Sequence, residues 1–518
     1  MPCWMNLGQN FKINAKKYAN KLALKDQTRS FTYAETNRRV NQLAHSLMDL
    51  GLAKGDKVAV FMDNCIEIVE VYLATAKTGI IIVPINFRLV GREAEYIVNN
   101  SDAKVMVVEA QFAEIIDPIK KDLKNIVPQN YVVVGGETAG YLEYEKFISG
   151  SPDKEPEVTV KSGDSWILIY TSGTTGKPKG VIRSHISHIA FYLINGVEMG
   201  FNNRDYCLNI MPLCHINSTF YTFLFLYLGG SVYVHPALSF KAPELLKIVE
   251  EEKITFISLI PTHYNLILNV DEDDRKRDVS SIRKLLCSSA PVRQKMLRAI
   301  VTFFPNAELY EGYGSTEAGV VTVLKPEDHK SKAGSIGQEV LSTEFVKILD
   351  FKGNEVSAGE VGEIFSRGPM LFDEYYKLPE KTLDSFKNGW FSAGDMGKKD
   401  EDGYYYIVDR KNNMIITGGE NVYPSEVEEV VGSHEHVFDC ACIGLPDEKW
   451  GEKIVAIVAL KDGEDEKNIC RKDIQDYCRG KLASYRRPKD IIFIKSDEMP
   501  RTPTGKILHR KLRDRYLV

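Results

Sequence analysis

The chain has 518 residues, with 66 Lys+Arg against 71 Asp+Glu and 44% hydrophobic residues, which is ample material for a large buried core. A net charge of -5 leaves no electrostatic footprint for nucleic acid or an anionic membrane, and a 26% charged fraction with ordinary Gly and Pro content excludes a disordered, collagenous or coiled-coil chain. Nine scattered cysteines read as reduced thiols of a cytoplasmic protein, the N-terminus shows no secretory pattern, and the longest apolar run, Phe220 to Leu228, is far short of the roughly 20 residues that span a membrane.

In chain order, Val58–Met62, Gly79–Val83 and Val105–Val108 read as buried strands. Ile68, Tyr72, Leu73 and Ala76 recur at helical spacing between the first two. Trp166–Tyr170, Ser231–Val234, Ile254–Ile260 and Leu285–Cys287 continue the strand series. The charged run Asp271–Asp278 reads as a solvated loop. Strands alternating with helical stretches predict an α/β fold with parallel sheets in a large N-terminal domain. After about residue 340 the texture changes. Val346–Leu349, Gly362–Phe365 and Tyr404–Val408 are short strands between Gly-containing turns, which predicts a small β-barrel-like region. The last hundred residues predict a small α+β domain: strands Val437–Ile443 and Ile454–Leu460, a helix over Ile469–Lys481, then strand Ile491–Ile494. The polar stretch Asp409-Arg410-Lys411-Asn412-Asn413 is the boundary candidate. The expected domains are 1–411 and 412–518.

The segment from Tyr170 to Gly180, Y-T-S-G-T-T-G-K-P-K-G, carries the most chemistry. Three glycines, four hydroxyls and two lysines directly after an apolar run make a backbone able to wrap a polyphosphate. It is not a Walker loop, because Pro178 follows Lys177 and Thr171 stands where that loop needs glycine.

This string resembles the signature loop of the adenylate-forming superfamily, in particular the AMP-dependent acyl-CoA synthetases. Further segments fall in the family's order. They are Met211-Pro212-Leu213-Cys214-His215-Ile216-Asn217, Tyr313-Gly314-Ser315-Thr316-Glu317, Trp390–Asp395, Asp409-Arg410 followed by Gly418–Glu426, and Pro500–Lys506. The resemblance covers essentially the whole chain. It implies an AMP-forming acyl-CoA ligase that joins a carboxylic acid to ATP as acyl-AMP, releases diphosphate, and then passes the acyl group to coenzyme A. A separate phosphopantetheine carrier protein is the alternative acceptor. Free CoA is favoured because no carrier segment follows Lys506.

The resemblance also implies roles for residues. Lys506 would be the adenylation cation, brought in by a mobile C-terminal domain. A charge about 4 Å from a phosphate oxygen is worth roughly 4 kcal/mol at an effective dielectric near 20. Glu317 would hold Mg²⁺, Thr316 would donate to the α-phosphate, and His215 would sit where acyl group, nucleotide and CoA meet. Thr171, Ser172, Gly173, Thr174, Thr175 and Lys179 would cradle phosphate. Ser289, Ala290, Pro291, Glu311, Gly312, Tyr313 and Gly314 would line the adenine, with Tyr313 stacking on it. Asp395 and Arg410 would hold the ribose, Asn412 would be the hinge, and Gly418 and Gly419 would let the pantetheine arm pass. His215, Asn217, Ser218, Phe220, Ile260–Tyr264, Ser288, Ser289 and Val320 would line the acyl pocket. The expected acid is a short or medium-chain, cyclic or aromatic monocarboxylate, and the expected state is monomer or homodimer. The constellation His434, His436, Cys440 and Cys442 has zinc-like spacing but reads as structural, because the cysteines alternate in an apolar strand.

Overall fold

The computed structural model describes residues 5–171, 177–238, 240–288, 292, 294–341, 346–461, 469–501 and 507–517, with backbone only at Asn412. The chain falls into two compact units. The larger comprises 1–333, 339–345 and 366–391; the smaller comprises 334–338, 346–365 and 392–518.

The larger unit is built on two sheets. Its strands are β1 (Leu22–Lys25), β2 (Ser30–Thr32), β3 (Lys57–Phe61), β4 (Ile81–Ile85), β5 (Ala103–Glu109), β6 (Tyr131–Val134), β7 (Leu142–Glu143), β8 (Ser165–Thr171), β9 (Lys179–Ser184), β10 (Tyr206–Asn209), β11 (Ser231–Val234), β12 (Phe256–Leu259), β13 (Lys284–Ser288), β14 (Glu308–Ser315) and β15 (Gly319–Leu324). One sheet runs β9-β8-β4-β3-β5-β6-β7, with the short strand Glu374–Tyr375 added antiparallel outside β9, and the other contains β15-β14-β13-β12-β10-β11-β1-β2. Neighbours among the numbered strands pair parallel except the β8–β9, β14–β15 and β1–β2 pairs, which are antiparallel. Side-chain alternation splits the strands between two cores. Val58 and Val60 of β3 join the core shared with the second sheet, whereas Ala59 and Phe61 face the opposite side. Both faces are covered, so these strands are apolar throughout. The helix Ile66–Thr78 has every residue buried. It and the helix Ile216–Leu228 contribute to the core that joins both sheets, and the charges on the first, Glu67, Glu70 and Lys77, are paired with Arg29, Arg39 and Glu155.

Each predicted strand is present, with Ser231–Val234 and Val346–Leu349 at the expected bounds and the others shifted at one or both ends by up to four residues. The Asp271–Asp278 run differs from a plain loop: the Asp271 carboxylate accepts from the Asp274 N–H at 2.9 Å and caps a one-turn helix, Glu272–Arg275.

The smaller unit contains short strands at Val346–Leu349, Gly362–Ser366, Asp395–Lys399 and Tyr405–Arg410, and then the C-terminal α+β region. There Val437–Asp447 and Gly451–Leu460 form a long antiparallel pair, and Asp490–Ile494 adds parallel to the second. The helix expected over 469–481 is confined to Arg471–Tyr477, and Gly480 follows with φ +75°, a left-handed turn no continuing helix can contain. Among the described residues no helix is long and apolar enough to cross a membrane.

Candidate active site

The strands β8 and β9 form the two arms of a hairpin, with Thr171 opposite Lys179. Both arms are largely buried. Ser172, Gly173, Thr174 and Thr175 lie outside the described residues. Lys179 places its Nζ 4.1 Å from the centroid of the Tyr375 ring. The Tyr375 hydroxyl in turn donates to Glu317 Oε1 at 2.7 Å. One aromatic side chain thus touches both the loop lysine and the motif glutamate, which are 138 positions apart in sequence.

The backbone carrying Thr316 and Glu317 is held from beneath by Arg183. This guanidinium is fully buried on β9. It donates to the Thr316 carbonyl at 2.8 Å, the Glu317 carbonyl at 3.2 Å and the Met370 carbonyl at 2.5 Å, and lies 4.9 Å from the Phe220 ring centroid. Burial pulls its pKa down to about 10, with Asp373 opposing, so it stays cationic at neutral pH. The Glu317 carbonyl also accepts from Phe372 N–H at 2.7 Å, and Ala318 N–H donates to Ser315 Oγ at 3.0 Å. The turn is over-determined. Gly314 is part of that tightness, since a Cβ there would stand 1.9 Å from the Gly319 carbonyl oxygen.

Glu311, Gly312, Tyr313 and Gly314 lie on β14 beside β13, with Gly312 opposite Ser288. Ser289, Ala290 and Pro291 lie outside the described residues. Glu311 Oε1 is 3.2 Å from His329 Nδ1. Burial alone would lower the His329 pKa, but Glu311 and the Leu309 carbonyl outweigh it and hold it above the ordinary value.

His215 stands immediately before the helix Ile216–Leu228. Its Nε2 is shielded from solvent and has no partner among the described residues. Burial and then the Arg88 charge lower its pKa to about 4, so the imidazole is neutral at physiological pH. The segment before it is pinned by Asn64, which donates to the Met211 carbonyl at 2.9 Å and accepts from Leu213 N–H at 2.8 Å. Of the expected acyl-pocket residues, Asn217, Ser218 and Ser288 line this corner. Phe220, 3% exposed against 4% for Ser218, stacks on Phe191 with ring centroids 3.9 Å apart. Tyr264 is also buried, donating to the Leu286 carbonyl.

In the smaller unit Asp395 and Arg410 face each other across paired strands, with Arg410 Nε 2.7 Å from Asp395 Oδ1. Arg410 also donates to the Ala393 carbonyl at 2.8 Å. The ribose candidates are thus an oriented ion pair. Asp409, one residue before, accepts from Ser425 N–H at 2.8 Å and from Asn413 Nδ2 at 3.2 Å. This carboxylate ties the stretch around Asn412 to the start of the helix Pro424–Gly432. Gly418 and Gly419 occupy a turn with φ +59° and +85°. A Cβ on Gly418 would meet the Trp450 ring at 3.1 Å, so the turn lies flat on that indole. Lys506 lies outside the described residues.

Among the described residues no group of three or more His, Cys, Asp or Glu is arranged to hold a metal. A magnesium ion fits differently, through a single carboxylate with phosphate oxygens and water completing the shell. Glu317 suits that use: one oxygen is fixed by Tyr375 and the other has no donor among the described residues.

Sequence reading missed Arg183, Tyr375, Asn64 and Trp450. Only Arg183 left a signal, a charge directly after the apolar pair Val181-Ile182.

Residues 11–376 match the family described as AMP-binding enzyme, and residues 426–506 match the AMP-binding enzyme C-terminal domain. The chain is 36% identical over 488 residues to the long-chain-fatty-acid–CoA ligase FadD13 of Mycobacterium tuberculosis, covering 94% of this chain and 93% of that one. It is 34% identical to a feruloyl-CoA synthase of an Amycolatopsis species, covering 94% of each. The crystal structure of the anthranilate CoA ligase AuaEII in complex with anthranoyl-AMP aligns with a TM-score of 0.89 at 30% identity, covering 100% of this chain and 98% of that one.

Proposed function

The chain belongs to the AMP-binding, adenylate-forming enzyme family and is an AMP-forming acid–thiol ligase, and from that premise we propose that it converts a small monocarboxylic acid, ATP and free coenzyme A to acyl-CoA, AMP and diphosphate. The observation that carries the finer reading is the contact chain Lys179–Tyr375–Glu317, which brings the phosphate-loop lysine and the carboxylate suited to magnesium together above a clamped backbone.

In the first half-reaction a substrate carboxylate oxygen forms a bond to the α-phosphorus as the bond to the bridging β-oxygen breaks, and diphosphate leaves. An anion is attacking a polyanion, so the protein must neutralise charge around the phosphorus. The loop 171–175 and Lys179 bind the phosphates, Thr316 Oγ donates to the α-phosphate, and Lys506 adds the positive charge that matters most in the transition state. Magnesium, when bound at Glu317, supplies further charge neutralisation on the phosphates. Asp395 accepts from the ribose hydroxyls and Arg410 fixes its orientation. Residues 289–291 and 311–314 enclose the adenine.

In the second half the CoA sulfur bonds to the acyl carbon, the thiol gives up its proton, and the bond to AMP breaks. Residues 412–518 then act as a lid hinged at Asn412, and the turn at Gly418-Gly419 passes the pantetheine arm. His215, neutral at working pH, offers an uncharged imidazole beside the acyl group rather than a cation that would hold the carboxylate back.

Diphosphate release measured across a panel of acids, with and without CoA, tests this reading. CoA-dependent turnover on a monocarboxylate is expected. Turnover on amino acids alone without CoA, or acyl transfer only to a carrier protein, would overturn it in favour of a carrier-loading enzyme.

A further inference from the structure

Next to His215 the carboxyl ends of β10, β12 and β13 meet the first turn of the helix Ile216–Leu228, the edge at which open α/β sheets bind their ligands. The side chains that meet there are polar and hydrogen-bonded in a row. Ser258 Oγ donates to Asn217 Oδ1 at 2.8 Å, and Asn217 Nδ2 donates to Ser288 Oγ at 2.8 Å. In this arrangement the Ser288 hydroxyl accepts, and its own hydrogen has no acceptor among the described residues. The amide of Asn217 likewise has a second N–H to give. All three residues are half-buried, so a ligand covering them removes their water.

Behind this row, between β10, β12 and the helix, the packing leaves a void of only about 10 Å³, room for about one water molecule, lined in part by Asn209, Met211, Asn217, Ser218, Tyr221 and Ser258. That is far below the roughly 300 Å³ at the small end of ordinary ligand sites, so the row has no room behind it for a chain to pass. Its floor is polar too, with Asn209 Nδ2 donating to Ser218 Oγ at 2.7 Å. It ends on Tyr221, which is locked in an aromatic block. Tyr221 and Phe225 lie 5.1 and 5.2 Å from Phe256, and Phe201 lies 4.9 Å from both Phe225 and Phe256.

We infer that the acyl substrate is compact and carries a hydrogen-bonding substituent, a ring hydroxyl, amino or alkoxy group or a short-chain hydroxyl, which docks on the Asn217–Ser258–Ser288 row. This rests on the acyl-CoA ligase reading of the same site and narrows it. An unsubstituted hydrocarbon would strip water from Ser288 and Asn217 without replacing it, and a long chain would meet the Tyr221 block. A site with committed polar groups discriminates against an analogue that leaves them unpaired more sharply than an apolar pocket discriminates by size.

The test is diphosphate release with ATP, magnesium and CoA on matched acids: benzoate against 2-aminobenzoate and 4-hydroxybenzoate, cinnamate against 4-hydroxycinnamate, hexanoate against 6-hydroxyhexanoate, and palmitate. The best substituted member is expected to exceed its unsubstituted partner by about 10-fold in kcat/KM, the worth of one or two hydrogen bonds, with palmitate slowest. In Asn217→Leu and in the milder Ser288→Ala that ratio should fall towards unity. Palmitate or the unsubstituted acids turning over fastest, or a ratio unmoved in both folded variants, would overturn the inference and leave the ligase reading standing. Diphosphate release from no acid at all would sink the ligase reading itself, and this inference with it.

Discussion

The two halves of the proposed machinery are held in different ways. In the larger unit the Thr316-Glu317 turn is gripped through its backbone: Arg183 donates to three carbonyls from a fully buried position, Phe372 adds a fourth contact, and Gly314 leaves no room to shift. In the smaller unit the stretch from Asp395 to Asn413 is tied through side chains: the buried Asp395 to the partly exposed Arg410, the exposed Lys411 to Glu363 at 2.7 Å, and the buried Asp409 to the Ser425 N–H. A buried guanidinium that loses its carbonyls is left unsatisfied, whereas the exposed Lys411–Glu363 contact exchanges with water at little net cost.

The strongest way to break this contrast is to remove the charge the lid carries. Lys506→Ala should slow adenylation about 10²–10³-fold, the typical loss for one transition-state donor, and leave thioester formation from supplied acyl-AMP nearly intact. Single-turnover assays of each half separately decide it, and equal losses in both halves would mean the lid does not alternate. Arg183→Met attacks the fixed corner. Three carbonyls lose a charged donor, and urea unfolding should show a loss of about 2–3 kcal/mol together with slower adenylation. Unchanged stability would show that the clamp is incidental.

Acid sharpens the comparison next. His185 and His188 lie buried against Trp166 in the larger unit, at ring distances of 6.0 and 4.8 Å. Burial lowers the His185 pKa to about 3 and that of His188 well below its ordinary value. The unfolded chain takes up protons at these residues below about pH 6.5 while the folded chain does not. Stability is therefore full above that pH and falls as pH drops through the window from 6.5 towards 3, by up to about 1.4 kcal/mol per unit for each histidine. Melting temperature followed from pH 7.5 to 5 should decline, and a flat profile would place these rings in water. The smallest effect is expected of Tyr375→Phe. Losing the hydroxyl on Glu317 should raise the magnesium concentration needed for half-maximal ATP binding about 5–10-fold, read by calorimetry in the absence of acid and CoA. No change would mean that Glu317 is held without it.

The strands were legible because period-two alternation between two apolar faces writes itself into every residue, as in Val58 to Phe61. The motif residues were legible as strings, since each string keeps its chemistry within about ten positions. Arg183 and Tyr375 were not, because their meaning lies in partners 134 and 58 positions away. Phe220 shows the same dependence: its segment was legible, but its packing is set by Phe191 and Arg183, 29 and 37 positions away.

By itself, then, the order of residues determined the alternation of strands and helices, the donor-rich turn after Tyr170 and the family to which the chain belongs, since all of these are local patterns of polarity and backbone freedom. Only the folded arrangement decided which charges share an aromatic ring, which carbonyls a buried guanidinium grips, and how deep and how polar the space beside His215 is. Those depend on contacts between distant segments, and a linear sequence carries no distances between its parts until burial of the apolar faces has fixed them.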